Sequence, residues 1–315
     1  MKLKKKILFL LVIGFLVLGT GGCGQEKTAH QSRERLKLGV LPLEDILPMI
    51  VANEKGYFAE ENLEVELVTL QSAVESQSAI QSGEIDGMMT DMIVAALLKD
   101  AGTDLKITSV TLEATPERRR FAIVAAPGSA IKDPRDLIGK DMGISYNSII
   151  EYVTDNLLAR EGIDPGQVKK TSIPKIPVRL EMLINNKVEL ANIPDPLITF
   201  AEFKGARVIL DDRGSNLSQA VLVMTGKTLE DKKESVDSFY RALRRAVAEI
   251  NGSPEEFKDT IIKHISIPEP IVEQYRVPSY PEPEVPREKE VNQILTWLKS
   301  KGLVSPDLSY ADLVK

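Results

Sequence analysis

The stretch LKLGVLPLEDILPMIVANEKGYFAEENLEVELVTL, residues 36–70, decides how the rest of the chain is read. Leu36, Leu38 and Val40 alternate with Lys37 and Gly39, and Leu63, Val65 and Leu67 alternate with Glu64 and Glu66. That two-residue period is the pattern of half-buried strands. Between them Ile46, Met49, Ile50 and Asn53 keep a helical spacing, and Gly56 stops the helix ahead of Tyr57 and Phe58, which fold back as apolar cover. The predicted unit is strand, helix, strand. Its crossover is right-handed by rule and sets the first loop, with Pro42, Leu43, Glu44 and Asp45, at the carboxyl end of a parallel sheet, where α/β proteins hold ligands.

The same grammar continues outward. A short helix over residues 71–82 follows the second strand and brings Ser72 and Ala73 to the sheet edge; a strand over 84–89 ends at Thr90 and Asp91 before the next helix. Strands at 105–112 and 121–125 flank the charged turn ERRR. Pro127, Gly128 and Ser129 mark a boundary, after which strand and helix alternate again, with Tyr146, Asn147 and Ser148 between a strand and a helix and with Asp195 between Pro194 and Pro196. Leu222, Val223 and Met224 read as a returning strand, and Val236, Phe239, Leu243, Val247 and Ile250 mark a long amphipathic helix. Residues 267–286 are dense in proline yet carry Ile271, Val272, Tyr275, Val277 and Tyr280, so an ordered strap over one lobe is expected rather than a linker. The fold class is α/β with two lobes: residues 36–124 plus 225–315 form lobe 1, residues 125–224 form lobe 2, and ligand binds in the cleft between them.

The chain opens MKLKKKILFLLVIGFLVLGTGGCG. Four lysines, an apolar run too short for a comfortable bilayer span and the small residues Thr20, Gly21 and Gly22 make residues 1–22 a secretion signal. Cys23 is the single cysteine of the chain, so no disulfide forms within one molecule. Its place directly after the small residues resembles a bacterial lipobox, although Thr20 stands where an aliphatic residue is usual. That makes Cys23 the expected lipidation site and residues 23–35 a tether. Loss of the leader removes four lysines and no acid, moving the formal charge from −6 to −10. Arg118, Arg119 and Arg120 are too few for a phosphate-tracking face, so nucleic acid is not an expected partner.

The residues ANEKGYFAEENLEVELV (52–68), SGEIDGMMTD (82–91), APGSAIKDPRDLIGKDMGIS (126–145), LLAREGIDPGQVK (157–169) and INNKVELANIPDPL (184–197) resemble, in order, motifs of the substrate-binding proteins that serve ABC importers for nitrate, sulfonates, taurine and thiamine-type pyrimidines. The resemblance covers essentially the whole mature chain. It implies a two-lobed, periplasmic-binding-protein-like fold of type II and an extracytoplasmic, lipid-anchored monomer without a cofactor or metal. Its implied partners are a small solute, an ABC permease and that permease's ATPase. Asn62 departs from the family pattern, which has glycine there, and Ile193-Pro194-Asp195-Pro196 stands where many members carry Trp-Glu-Pro.

Catalysis has little support in the residues. The two histidines, His30 and His264, lie away from the expected ligand loops, so no histidine base or nucleophile pair is evident. An exported enzyme on the same fold is the alternative of another class. The candidate ligand-binding residues are Pro42, Glu44, Asp45, Ser72, Thr90, Asp91, Tyr146, Asn147, Ser148 and Asp195; Glu44, Asp45 and Asp91 serve equally well as helix caps, and Asp195 as a turn former. Four carboxylates and no lysine or arginine lie in those loops, with Arg179 the cation that could swing in. Unpaired carboxylates in a desolvated cleft favour a donor-rich nitrogen solute such as a thiamine-type pyrimidine, with an alkanesulfonate, taurine or nitrate as the alternative.

Overall fold

The computed structural model describes residues 33–315 except 216 and 266; the expected secretion signal, Cys23 and most of the expected tether lie outside the described residues. β1 (Glu34–Val40) and β2 (Leu63–Thr69) pair in parallel, with Leu36 opposite Val65 and Leu38 opposite Leu67. The crossover carries two helices, α1 (Leu47–Glu54) and α2 (Tyr57–Glu60). They are separated at Gly56, whose φ of 78° is left-handed and costs glycine nothing in Cβ clashes. The expected apolar cover is thus itself helical. Phe58 is buried and stacks on Phe239 with ring centroids 5.3 Å apart. Asn62 follows α2 at φ 57°, a conformation that asparagine tolerates better than most residues, which explains how it replaces the family's glycine.

α3 (Ala73–Gln81), β3 (Gly87–Asp91), α4 (Met92–Asp100) and β4 (Leu105–Leu112) complete the outward path of the first sheet. β3 starts later than the apolar pattern suggested. At Gly87 an added Cβ would sit 2.5 Å from the Val223 carbonyl oxygen, so the strand begins where two backbones can approach closely. The second sheet follows with β5 (Phe121–Ala125), β6 (Asp141–Ile144), α5 (Ile149–Arg160), β7 (Lys169–Ser172), α6 (Ile176–Ile184), β8 (Leu190–Pro194), α7 (Leu197–Phe203) and β9 (Arg207–Asp211). β10 (Ala220–Thr225) then returns to the first sheet.

The strand orders are β2-β1-β3-β10-β4 and β7-β6-β8-β5-β9. β10 runs antiparallel between β3 and β4, and β5 runs antiparallel between β8 and β9. Each sheet therefore takes its one reversed strand from just beyond a crossing. This shifts the lobe boundaries read from the sequence. Residues 121–124 hydrogen-bond into the second sheet rather than ending the first, and residues 220–224 belong to the first sheet rather than the second.

The remaining helices are α8 (Gly226–Asp231), α9 (Lys233–Gly252), α10 (Lys258–Ile265), α11 (Glu288–Ser300) and α12 (Tyr310–Leu313). α9 buries Val236, Phe239, Leu243, Val247 and Ile250 as its spacing requires, each contributing roughly 1.5–3 kcal/mol relative to exposure. The strap at 267–286 packs Ile271, Tyr275, Val277 and Tyr280 into the same apolar cluster. α11 reaches across to α5: the Trp297 indole N–H donates to Asp155 at 3.2 Å, and Lys301 pairs with Glu151 at 2.5 Å and Asp155 at 3.0 Å. A continuous apolar cluster holding Ile107, Val221, Ile144, Val153 and Leu295 joins the two sheets on that side.

Candidate functional site

The carboxyl-end loops converge on a cavity of about 60 Å³ between the lobes. Leu41, Leu43 and Asp45 reach it from the loop after β1, Ala73 and Ser76 from α3, and Met89, Thr90 and Asp91 from β3. The two crossings supply Arg120, Phe121, Gln219 and Ala220, and α5 supplies Ile149. Its walls are largely apolar with a few convergent polar groups, the lining of a small-molecule site, but its volume is well below the roughly 300–1,000 Å³ of such sites. Asp45 is 8% exposed and its Oδ1 has no hydrogen-bond partner among the described residues. Burial pushes its pKa up, and the Arg120 guanidinium works against that rise.

Arg120 is also buried. Its Nη1 donates to the carbonyls of Leu112, at 3.3 Å, and Ser218, and its side-chain bonds to described residues all run through that nitrogen. The guanidinium lies over the Phe121 ring, 5.5 Å from the centroid. Gln219 gives its Nε2 to Glu290 at 2.9 Å and Glu113 at 3.2 Å, while its Oε1 has no partner among the described residues. Asp91 receives two backbone N–H groups, from Val94 at 2.9 Å and from Ile149 at 3.1 Å. Burial raises its pKa, and those bonds oppose the rise.

Glu44 stands outside this lining. Its carboxylate, 3% exposed, pairs with Arg118, and its carbonyl accepts from the Tyr280 hydroxyl at 2.6 Å. Burial pushes the Glu44 pKa up and Arg118 holds it back. Asp195 accepts from Arg119 Nε at 2.8 Å and caps α7 through the Thr199 N–H at 3.1 Å. Together Arg118, Arg119, Asp195, Thr199 and Tyr275 line a second cavity of about 240 Å³. The four carboxylates expected to be uncompensated are therefore mostly paired: the ERRR turn supplies partners to Glu44 and Asp195, helix N-termini hold Asp91, and of the four only Asp45 keeps a buried oxygen without a partner among the described residues. Arg179 does not swing in. It is fully buried in lobe 2, donates to the carbonyls of Asn192 at 2.8 Å and Ile173 at 2.5 Å, and burial lowers its pKa to about 9.

The other expected residues divide. Thr90 lines the cavity. Ser72 instead caps α3, accepting the Glu75 N–H at 3.3 Å, and Pro42 lies between two lining residues without lining the cavity itself. Tyr146 is 43% exposed and its hydroxyl donates to the Lys170 carbonyl at 2.9 Å, which puts it beside Lys301 in a separate surface hollow. Asn147 turns left-handed at φ 54°, and its N–H donates to Glu151 at 2.9 Å; the Ser148 hydroxyl donates to the Ser145 carbonyl at 2.8 Å. That turn sends Ile149, not its three predecessors, to the cavity. Sequence reading missed Arg120, Phe121 and Gln219; the ERRR turn directly before a strand was a signal for the first two, and Gln219, directly before β10, carried none. Among the described residues no group of three or more His, Cys, Asp or Glu side chains is arranged to hold a metal. His264 lies on the surface beside Glu54 at 2.9 Å.

The family model described as NMT1/THI5 like matches residues 44–257. No curated protein sequence matches the chain. Among solved structures, the ligand-binding component of an ABC-type import system from Staphylococcus aureus, with zinc bound, aligns with TM-score 0.76 at 18% identity over 90% of this chain and 96% of that one. The alkanesulfonate-binding protein SsuA from Xanthomonas axonopodis pv. citri, bound to MOPS, aligns with TM-score 0.76 at 16% identity over 89% and 98%. A Candida albicans protein described as exhibiting the generic periplasmic binding protein fold aligns with TM-score 0.70 at 14% identity over 90% and 96%. With two five-stranded sheets of like topology and a family match across both, the chain belongs to the NMT1/THI5-like family and has the periplasmic binding protein fold.

Proposed function

We propose that this protein is the solute-binding component of an ABC importer and that it captures a small organic solute in the cavity between its lobes. The observation that carries the reading is the open Asp45 oxygen in a buried cavity shared by both lobes and both crossings. Such an acceptor costs about 1–3 kcal/mol when left unmade, and a donor on the solute offsets that cost. Family membership and the likeness to a ligand-binding import component support the same role. The solute carries an N–H donor for Asp45 and an acceptor for Arg120 on a flat apolar body that meets Leu43, Met89 and Phe121, a description that an aminopyrimidine fits. The second reading, an alkanesulfonate, taurine or nitrate, is favoured by Arg120 alone.

Residues 1–22 direct export, Cys23 is acylated, and the lobes remain outside the cytoplasm on a lipid tether, docking when closed on a permease powered by an ATPase. Among the described residues no helix is long and apolar enough to cross a membrane. We read the site as one for binding, because two of its polar groups are already committed to the fold: the Ser76 hydroxyl donates to the Ser72 carbonyl and the Asp91 carboxylate accepts two backbone N–H groups. A thermal-shift panel tests the role: a solute at about a hundred times its dissociation constant adds roughly 2.7 kcal/mol and raises the melting temperature by about 5–10 °C. A panel of aminopyrimidines, amines and sulfonates in which nothing raises it would overturn solute capture. Labelling of Cys23→Ala by a palmitate analogue as strongly as the wild type would overturn the anchor.

A further inference from the structure

Asp91 belongs to the first sheet yet serves both lobes. Its Oδ1 accepts the Val94 N–H of α4 at 2.9 Å, and its Oδ2 accepts the Ile149 N–H of α5 at 3.1 Å. Ile149 is the first residue of α5, and Ser148, at the position a cap would occupy, turns its hydroxyl away to the Ser145 carbonyl. The N-terminus of α5, with its orphan N–H groups and positive dipole end, is thus closed by a carboxylate from the opposite lobe. Asp91 and Ile149 both line the solute cavity. A second observation points independently to a ligand there: Asp45, 8% exposed, holds an unpartnered oxygen on the same cavity. An anion position already filled and an acceptor left open select against anionic solutes.

We infer that Asp91 is a specificity-determining residue, a resident anion at the N-terminus of α5 that excludes sulfonate and nitrate heads and leaves the solute's N–H to Asp45. The inference rests on the solute-binding reading and narrows it to neutral or cationic N–H donors. The chemistry is simple competition. A sulfonate entering the cavity meets the Asp91 carboxylate at the N–H it would use, so it loses a charge-assisted bond and gains like-charge repulsion.

The test is calorimetric titration of ethanesulfonate and nitrate into the wild type, Asp91→Asn and Asp91→Ser. Both replacements keep an oxygen able to cap α4 through Val94, and neither carries charge. The wild type is expected to bind neither anion saturably, and the variants to gain about tenfold or more in ethanesulfonate affinity. Melting temperatures taken alongside establish that the variants are folded, and either one suffices. Saturable ethanesulfonate binding by the wild type overturns the inference, as does a folded variant that gains nothing beside a wild type that takes an aminopyrimidine. A wild type that binds no solute of any charge has a different meaning: it overturns the solute-binding reading and this one with it.

Discussion

Replacing Arg118 by methionine leaves Glu44 as an uncompensated carboxylate that is 3% exposed, keeping most of the apolar stem but losing the guanidinium that lies 5.8 Å from the Tyr275 ring centroid. Removing one partner of a buried pair costs about 3–5 kcal/mol. The Arg118 side chain is 27% exposed, which admits some water and puts the expected loss near the lower end, about 3 kcal/mol. At about 2–4 °C per kcal/mol for a chain of this size, that lowers the melting temperature by about 6–12 °C. The sign with pH follows from the same pair. Burial already raises the Glu44 pKa and Arg118 restrains it, so without Arg118 the folded-state value rises further. The deficit is then largest at neutral pH and shrinks as pH falls into the carboxylate range and Glu44 takes up a proton. Adding Glu44→Gln to the variant removes the charge and should recover more than half of the loss. Scanning calorimetry across pH reads all three effects. A loss below about 1 kcal/mol with no recovery in the double variant would refute the buried pair and make it an ordinary rim contact.

From neutrality down to the upper carboxylate range, above the pH at which Glu75, Asp136, Asp211, Glu249, Glu290 and Asp312 with their lowered pKa values begin to act the other way, the free protein should grow more stable, because burial raises the pKa values of Glu44, Asp45, Asp91 and Asp212 and the folded state binds the extra protons of these four first. Their contribution is fully present below the unfolded carboxylate range and is lost as pH rises through the folded values; a melting temperature that falls steadily on acidification from pH 7 would contradict it. Gly87→Ala forces a Cβ to 2.5 Å from the Val223 carbonyl oxygen and should cost about 1–3 kcal/mol in urea unfolding; an unchanged midpoint would show that β3 and β10 do not approach so closely. Trp297 is the single tryptophan of the chain and sits against Tyr152 and Asp155 where α11 meets α5, so its emission should change when solute draws the lobes together. Solute that binds without altering that emission or the radius of gyration would count against closure.

Local patterns carried the fold, and distant partners decided the site. The alternation around Leu36 and Leu63 and the spacing from Val236 to Ile250 depend on neighbours a few residues away, so they were legible in the sequence and are buried in the structure. So was the placement of Asp45, Thr90 and Asp91 at the carboxyl ends of strands. The partners of the acids were not legible. Glu44 meets Arg118 from 74 residues away and Arg120 meets the Ser218 carbonyl from 98 away, and nothing in a local window links such positions. The loop at Tyr146 failed for another reason: at a left-handed Asn147 the chain turns, so Tyr146 and Asn147 are exposed, Ser148 is buried with its hydroxyl on the Ser145 carbonyl, and Ile149 lines the cavity. The lobe boundaries slipped because a strand just past a crossing reads the same in sequence whichever sheet it joins.

The most direct measurement of solute capture is calorimetric titration of an aminopyrimidine into the wild type and Asp45→Asn. The substitution keeps the side-chain shape, replaces one carboxylate oxygen by an NH2 group and removes the charge, so the acceptor offered to the solute is weakened. The account predicts saturable binding of one solute per chain in the wild type and an affinity about tenfold lower, or less, in the variant. Equal binding by the two proteins, or heat from neither, would contradict it.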